Sequence, residues 1–127
     1  MFSHVMLGSD DLDRSQRFYD ALFAAIGGKP ARRDEKGRLV YLHRGGALLI
    51  SKPIDGQSAH GANGGTVGFA ADDPGQVDAW HAAGVAHGGV AIEDPPGVRQ
   101  AGVGALYLAY LRDPDGNKIC ALHRVPR

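Results

Sequence analysis

Leu108 to Leu122 reads LAYLRDPDGNKICAL. Leu108 to Arg112 has the aliphatic and aromatic content of a strand, Asp113 to Asn117 concentrates turn-forming residues, and Ile119 to Leu122 is apolar again, so the segment predicts a hairpin. Leu39 to Ile50, LVYLHRGGALLI, follows the same plan: Leu39-Val-Tyr-Leu aligns with Leu108-Ala-Tyr-Leu, and a glycine turn and an apolar strand follow. Further out, Ser3 to Leu12 aligns with Gly65 to Pro74, setting Val5 against Val67, Leu7 against Phe69 and Asp10-Asp11 against Asp72-Asp73. The same register sets Phe18 against Trp80 and Gly27 against Gly89. Landmarks held in one register indicate an internal duplication, and a duplicated chain folds as two like halves rather than one continuous winding.

In chain order, Phe2 to Leu7 predicts a short strand containing His4, with Val5 and Leu7 on one face and Phe2, His4 and Met6 on the other. Asp10 or Asp11 can cap the next helix by accepting from the free N–H groups of its first turn. Leu12, Ser15, Tyr19, Leu22, Phe23 and Ile26 recur at helical spacing, with Arg14, Arg17 and Asp20 turned outward and Gly27-Gly28 as the stop. Strands are predicted at Lys29 to Arg33, Leu39 to Arg44 and Ala47 to Lys52. The first half, about 1–52, is therefore β-α-β-β-β. A polar linker over about 53–63 leads to a second half over about 64–124, with a strand at Val67 to Ala71 and a helix from Asp73-Pro74 to about His87. The second half is longer between this helix and the Leu108 strand. Beyond a short strand at Val90 to Ile92, Asp94-Pro-Pro-Gly-Val-Arg-Gln-Ala-Gly-Val-Gly predicts a loop, a place where binding sites are often built.

Composition limits the function classes. The 127 residues carry 14 Lys plus Arg and 14 Asp plus Glu, a net charge of zero, so no electrostatic case exists for nucleic acid or an anionic membrane. Cys120 is the single cysteine, which excludes an intrachain disulfide and suits a reducing compartment. No apolar stretch approaches membrane-spanning length, and MFSHVML lacks the features of a signal peptide, so the expected location is the cytoplasm. Asp113-x-Asp-x-Asn has the opening rhythm of a calcium loop, but its glycine falls too early and Arg124 stands where a bidentate glutamate belongs.

Two β-α-β-β-β halves, a histidine in the first strand and an Asp113-Pro-Asp-Gly-Asn turn followed by Lys118-Ile resemble the glyoxalase / bleomycin-resistance / extradiol-dioxygenase superfamily, the vicinal oxygen chelate proteins. The resemblance covers nearly the whole chain. It implies an α+β fold of two tandem βαβββ modules whose strands form a curved, barrel-like mixed sheet with helices outside. It also implies a small organic ligand in the cup, and a homodimer.

The family's metal ligands usually stand on the first and last strands of each module, and the resemblance carries them onto His4, Ile50, Thr66 and Cys120. Only His4 is an ordinary match, since Ile50 can neither bind an ion nor accept a proton and Thr66 is a poor ligand. No cofactor is expected on this basis. The alternative is a divalent ion (zinc, nickel, iron or manganese) held softly by His4, Cys120 and a loop histidine such as His60. Cys120 beside His4 as a nucleophile is a further option. Ligand contacts are expected from His60, Arg99 and Tyr107. Two functions follow: an enzyme of lyase, isomerase or dioxygenase type with an altered metal site, or a non-catalytic protein that sequesters a small molecule.

Overall fold

The computed structural model describes residues 1–126. Its elements, in order, are β1 (Val5–Gly8), α1 (Leu12–Ala25), β2 (Arg32–Arg33), β3 (Leu39–His43), β4 (Gly46–Ser51), β5 (Val67–Ala70), α2 (Pro74–Ala86), β6 (Val90–Ala101), β7 (Gly104–Arg112) and β8 (Lys118–Arg124). They form two four-stranded sheets of equivalent order, β1-β4-β3-β2 and β5-β8-β7-β6. In each sheet the first strand pairs parallel with the last and the other pairs are antiparallel. The duplication is thus a repeat of topology, as expected. The two sheets share no strand pairing, which leaves β1 and β5 as edges.

Each helix begins on an aspartate. Asp11 accepts from the Arg14 N–H at 3.0 Å, and Asp73 accepts from the Gln76 N–H at 2.8 Å ahead of Pro74 in the first turn. α1 stops where Gly27 takes a φ of +82° and the Gly28 N–H bonds back to the Phe23 carbonyl at 2.7 Å. Phe18, Tyr19, Leu22 and Phe23 of α1 and Val77 and Trp80 of α2 are buried against one face of the sheets, with Leu39, Tyr41, Leu48, Ile50, Leu111, Ile119 and Ala121 beneath them. Gly84 lets α2 lie close, because a Cβ there would collide with Leu111 and crowd Leu22. The opposite face of each sheet carries no helix.

The turn between β7 and β8 joins the halves. Gly116, at φ +90°, closes it, and Asp113 Oδ1 accepts the N–H groups of Asp115 and Asn117, each at 2.9 Å. Asp113 Oδ2 accepts the Tyr19 hydroxyl of α1 at 2.6 Å and the Asn117 side-chain amide at 2.9 Å. Asn117 also donates to the Gly8 carbonyl at 3.1 Å, and Asp115 accepts from the Asp10 N–H and Arg14, both at 2.9 Å. Burial pushes the Asp113 carboxyl up from its ordinary value against the pull of these donors, and raises the Tyr19 phenol well above its own.

Several expectations need correction. β1 begins at Val5, so Phe2 and His4 precede the strand, and β2 is only Arg32–Arg33. Arg14 turns to Asp115, and Asp20 accepts the Tyr41 hydroxyl at 2.7 Å, so neither simply faces solvent. The expected loop over 94–104 is mostly a long hairpin of β6 and β7, with a register shift between Ile92 and Gly97 that absorbs the two prolines. The repeat is also offset by one residue from the sequence alignment. β3 and β4 pair Leu39 with Ile50, while β7 and β8 pair Ala109 with Ala121, so Leu39 corresponds to Ala109 rather than Leu108. Likewise β1 sets Met6 opposite Leu49 and β5 sets Gly68 opposite Cys120, so the counterpart of Cys120 is Leu49, not Ile50.

If the Asp113 turn fastens the halves, Asp113→Ala strands the Tyr19 hydroxyl and two backbone donors and costs about 3 kcal/mol, whereas Tyr19→Phe costs about 1–2 kcal/mol. Urea unfolding at pH 7 measures both. A midpoint for Asp113→Ala equal to that of the wild type would show that the turn is held by other contacts.

Candidate functional site

Strand alternation decides what each face offers. Leu39, Tyr41, Leu48 and Ile50 point to the helices, so Met6, Arg38, Val40, Leu42, Leu49 and Ser51 lie on the uncovered face of the first sheet. A cavity of about 610 Å³ opens at the end of that sheet where β1 and β4 finish and β3 begins. Met6, Leu12, Pro53 and Ile54 give it apolar walls, and Lys36, Arg38 and Lys52 stand around them. Met6 is 44% exposed and Ile54 fully so, an uncovered apolar surface beside three cations. Arg38 is the one of these cations with an ion pair among the described residues, its Nε donating to Asp34 at 2.6 Å.

On the second sheet Ile119 and Ala121 belong to the core, whereas Leu108 and Cys120 are buried outside it. Tyr110, opposite Cys120, shares their face. Lys118 pairs with Glu93 and stands 5.0 Å from the centre of the Tyr110 ring, and burial holds the Tyr110 phenol above its usual value.

The residues singled out in the sequence fall in different places. Arg99 donates to the carbonyls of Asp94, Pro95, Gly97 and Leu108 at 2.8–3.0 Å, so its guanidinium braces the irregular part of β6. Tyr107 packs toward α2 and donates its hydroxyl to Asp78 at 2.8 Å, a bond that raises its pKa, and Tyr110 rather than Tyr107 faces away from the helices. His60 is exposed, with Nδ1 3.3 Å from the Gly61 carbonyl oxygen. His4 is exposed beside Ser3 ahead of the first sheet, while Cys120 lies in the second. Ile50 is 1% exposed among the core residues under α1, and Thr66 is exposed just ahead of β5.

This topology and the Asp113 turn can be set against known proteins. The sequence matches the Glyoxalase/Bleomycin resistance protein/Dioxygenase superfamily over residues 1–121. The chain belongs to that superfamily. It is similar to a glyoxalase/bleomycin resistance protein from Albidiferax ferrireducens T118, at 56% identity over 98% of this chain and 99% of that one, with a TM-score of 0.94. It is also similar to a lactoylglutathione lyase from Agrobacterium tumefaciens, at 26% identity over 96% of this chain and 92% of that one, with a TM-score of 0.65. A glyoxalase/bleomycin resistance protein/dioxygenase family enzyme from Burkholderia phytofirmans PsJN shares the fold at 17% identity, over 94% of this chain and 95% of that one, with a TM-score of 0.69. No curated protein sequence matches the chain.

Of the residues at the chelating positions, His4 and Cys120 carry donor atoms suited to a divalent ion, Thr66 offers only a hydroxyl and Ile50 offers none. Among the described residues, no three His, Cys, Asp or Glu side chains gather within reach of one ion, so one chain does not assemble a set from His4, Cys120 and His60. Reassigning the Ile50 position to Leu49 only replaces one hydrocarbon with another. Burial pushes the Cys120 thiol up to about 11, which keeps it protonated at neutral pH and makes it a poor ligand and a poor nucleophile. Sequence reading missed Lys36, Arg38, Lys52 and Tyr110. The signal for the first three was present as cations on the turn before β3 and immediately after β4.

The thiol gives a direct check. With 6% exposure and its raised pKa, Cys120 should react with Ellman's reagent at pH 7 at least about tenfold more slowly in the folded protein than in the urea-unfolded chain. A folded-state rate matching the unfolded one would contradict this placement.

Proposed function

We propose that the protein binds a small organic molecule in a cup completed by a second copy of the chain, and that it holds this molecule rather than transforming it. The observation that carries the reading is the cavity of about 610 Å³ beside the unpaired edge of β1. Pockets of this size suit small organic ligands, and an apolar wall with a few polar groups is their usual lining.

The edges explain why a second copy belongs here. β1 reads Val5-Met6-Leu7-Gly8 and β5 reads Val67-Gly68-Phe69-Ala70, with no charge or proline in either. Exposed edges are commonly protected by lysine, proline or a bulge, because their free N–H and C=O groups recruit other strands. Two such unprotected edges on one chain satisfy each other when β1 of one copy lies beside β5 of another, a twofold, self-complementary contact. The uncovered face of the first sheet then meets the uncovered face of the second, with Tyr110 and Leu108, from the other copy. The name of the similar Albidiferax ferrireducens glyoxalase/bleomycin resistance protein covers both roles, and it is the donor chemistry at the chelating positions that favours holding over the metal-dependent proton transfer of a lactoylglutathione lyase. Among the described residues no helix is long and apolar enough to cross a membrane; the single cysteine suits a reducing compartment, and a cytoplasmic location is part of this proposal.

Sedimentation should give a particle of twice the 13.4 kDa chain mass, and Ala70→Lys, which charges the β5 edge, should shift it to the monomer. A wild-type monomer at tens of micromolar would overturn the shared cup. Hemithioacetal isomerisation assayed with added nickel or zinc should show no turnover above the uncatalysed rate. Saturable metal-dependent turnover, lost in His4→Ala, would overturn the holding role.

A further inference from the structure

We infer that the ligand of the first-half cavity is an amphipathic organic anion, an apolar or aromatic body bearing a carboxylate, sulfonate or phosphate. This rests on the small-molecule reading above and adds the ligand's chemical class.

The chain as a whole is neutral, with 14 basic and 14 acidic residues, yet this cavity is not. Lys36, Arg38 and Lys52 line it and no carboxylate does. Asp10, which shares a neighbouring pocket with Lys52, accepts the Ala59 N–H, and Asp34 takes the Arg38 Nε and two N–H groups of its own turn, those of Lys36 and Arg38. That arrangement fixes the turn. It leaves the two terminal nitrogens of Arg38 and both lysine ammonium groups with no protein acceptor among the described residues.

The three cations arrive from two segments, the turn ahead of β3 and the residue after β4, which the antiparallel pairing of those strands brings to one end of the sheet. Like charges held together repel, and a cleft lined by one sign concentrates the opposite sign. An anion is the occupant that relieves this repulsion, and a guanidinium with free terminal N–H groups beside two ammoniums suits an oxyanion.

The rest of the lining sets the other half of the ligand. Met6 and Ile54 are exposed hydrocarbon in the same cavity, with Leu12 and Pro53. A bare inorganic anion would leave this surface wet, whereas an apolar body attached to the anionic group covers it. On the second sheet Lys118 is paired with Glu93, Arg99 is committed to backbone carbonyls and Arg112 donates to the Gly116 carbonyl, which leaves Arg124 as a single exposed cation at the end of β8 rather than a group of three.

Two probes sharing one ring system separate charge from shape: 8-anilino-1-naphthalenesulfonate and its uncharged counterpart N-phenyl-1-naphthylamine, titrated by fluorescence against the full chain at low salt. The anion should bind at least about tenfold more tightly than the neutral compound, a free-energy difference of about 1.4 kcal/mol. In Lys36→Gln/Lys52→Gln the preference should fall to about twofold or less, with neutral binding unchanged. Lys29→Gln, outside the cavity, should change neither, and Met6→Trp should weaken both by filling the space; circular dichroism confirms that each variant is folded. Equal binding of the two probes, or a preference that survives the double substitution, overturns the anionic class. If the neutral probe is still displaced by Met6→Trp in that case, the small-molecule reading stands. If neither probe binds, that reading fails, and this inference with it.

Discussion

The interaction on which the arrangement depends is the insertion of the Asp113–Asn117 turn into the corner between β1 and α1. A carboxylate in the interior is tolerated only when its lone pairs are used, and Asp113, at 4% exposure, uses both oxygens on four donors. Three of those donors come from its own turn and make it rigid. The fourth, the Tyr19 hydroxyl, belongs to the other half. Asp115 adds a second carboxylate at the start of α1, where the free N–H of Asp10, the positive end of the helix and Arg14 all favour negative charge. The corresponding place at the other end of the molecule has, among the described residues, the exposed Arg44 to Asp72 pair, which contributes little. The halves are therefore fastened unequally, firmly at the second turn and weakly at the first.

Fastening the halves through these corners has a consequence for the sheets. The helices lie against each other and cover one face of both sheets, so the opposite faces stay open and the strands β1 and β5 stay unpaired. A chain with such edges and an uncovered apolar face is incomplete by the ordinary rules of sheet burial. The cavity beside β1 and the unprotected edge are two aspects of one geometry. Both follow from placing the helices on the inner side.

Much of this could be read in the sequence. The repeated Asp-Asp before each helix, the Gly27-Gly28 stop and the turn at Asp113 each have a local chemical cause, and each was found where expected. The register of the last strand was not legible, because Leu48, Leu49 and Ile50 are all apolar and show no alternation; only pairing tells which of them faces the helix. A slip of one residue there turned Ile50 from a core residue into a supposed cup residue. The β6 and β7 hairpin was hidden for another reason. Pro95, Pro96 and Gly97 suppress the strand signal, and the shift that accommodates them is held by Arg99, whose bonds to four carbonyls cannot be seen in composition. Tyr107 and Tyr110 are three apart, so in a strand they face opposite sides, and without the strand neither could be assigned.

The two halves of a duplicated chain are free to diverge once one of them no longer has to do what the other does. In the second half the polar groups near the open face are turned on one another: Lys118 is shared between Glu93 and the Tyr110 ring, Arg99 is spent on the backbone, and Cys120 is a buried neutral thiol. Such a surface supplies shape more than charge. In the first half Lys36 and Lys52 have no side-chain partners among the described residues, and the apolar Met6 and Ile54 beside them are exposed. If two copies close one cup, each cup receives one surface of each kind, and discrimination among ligands by charge falls to the first half. The second half, braced and internally satisfied, then sets how large an apolar body can be enclosed.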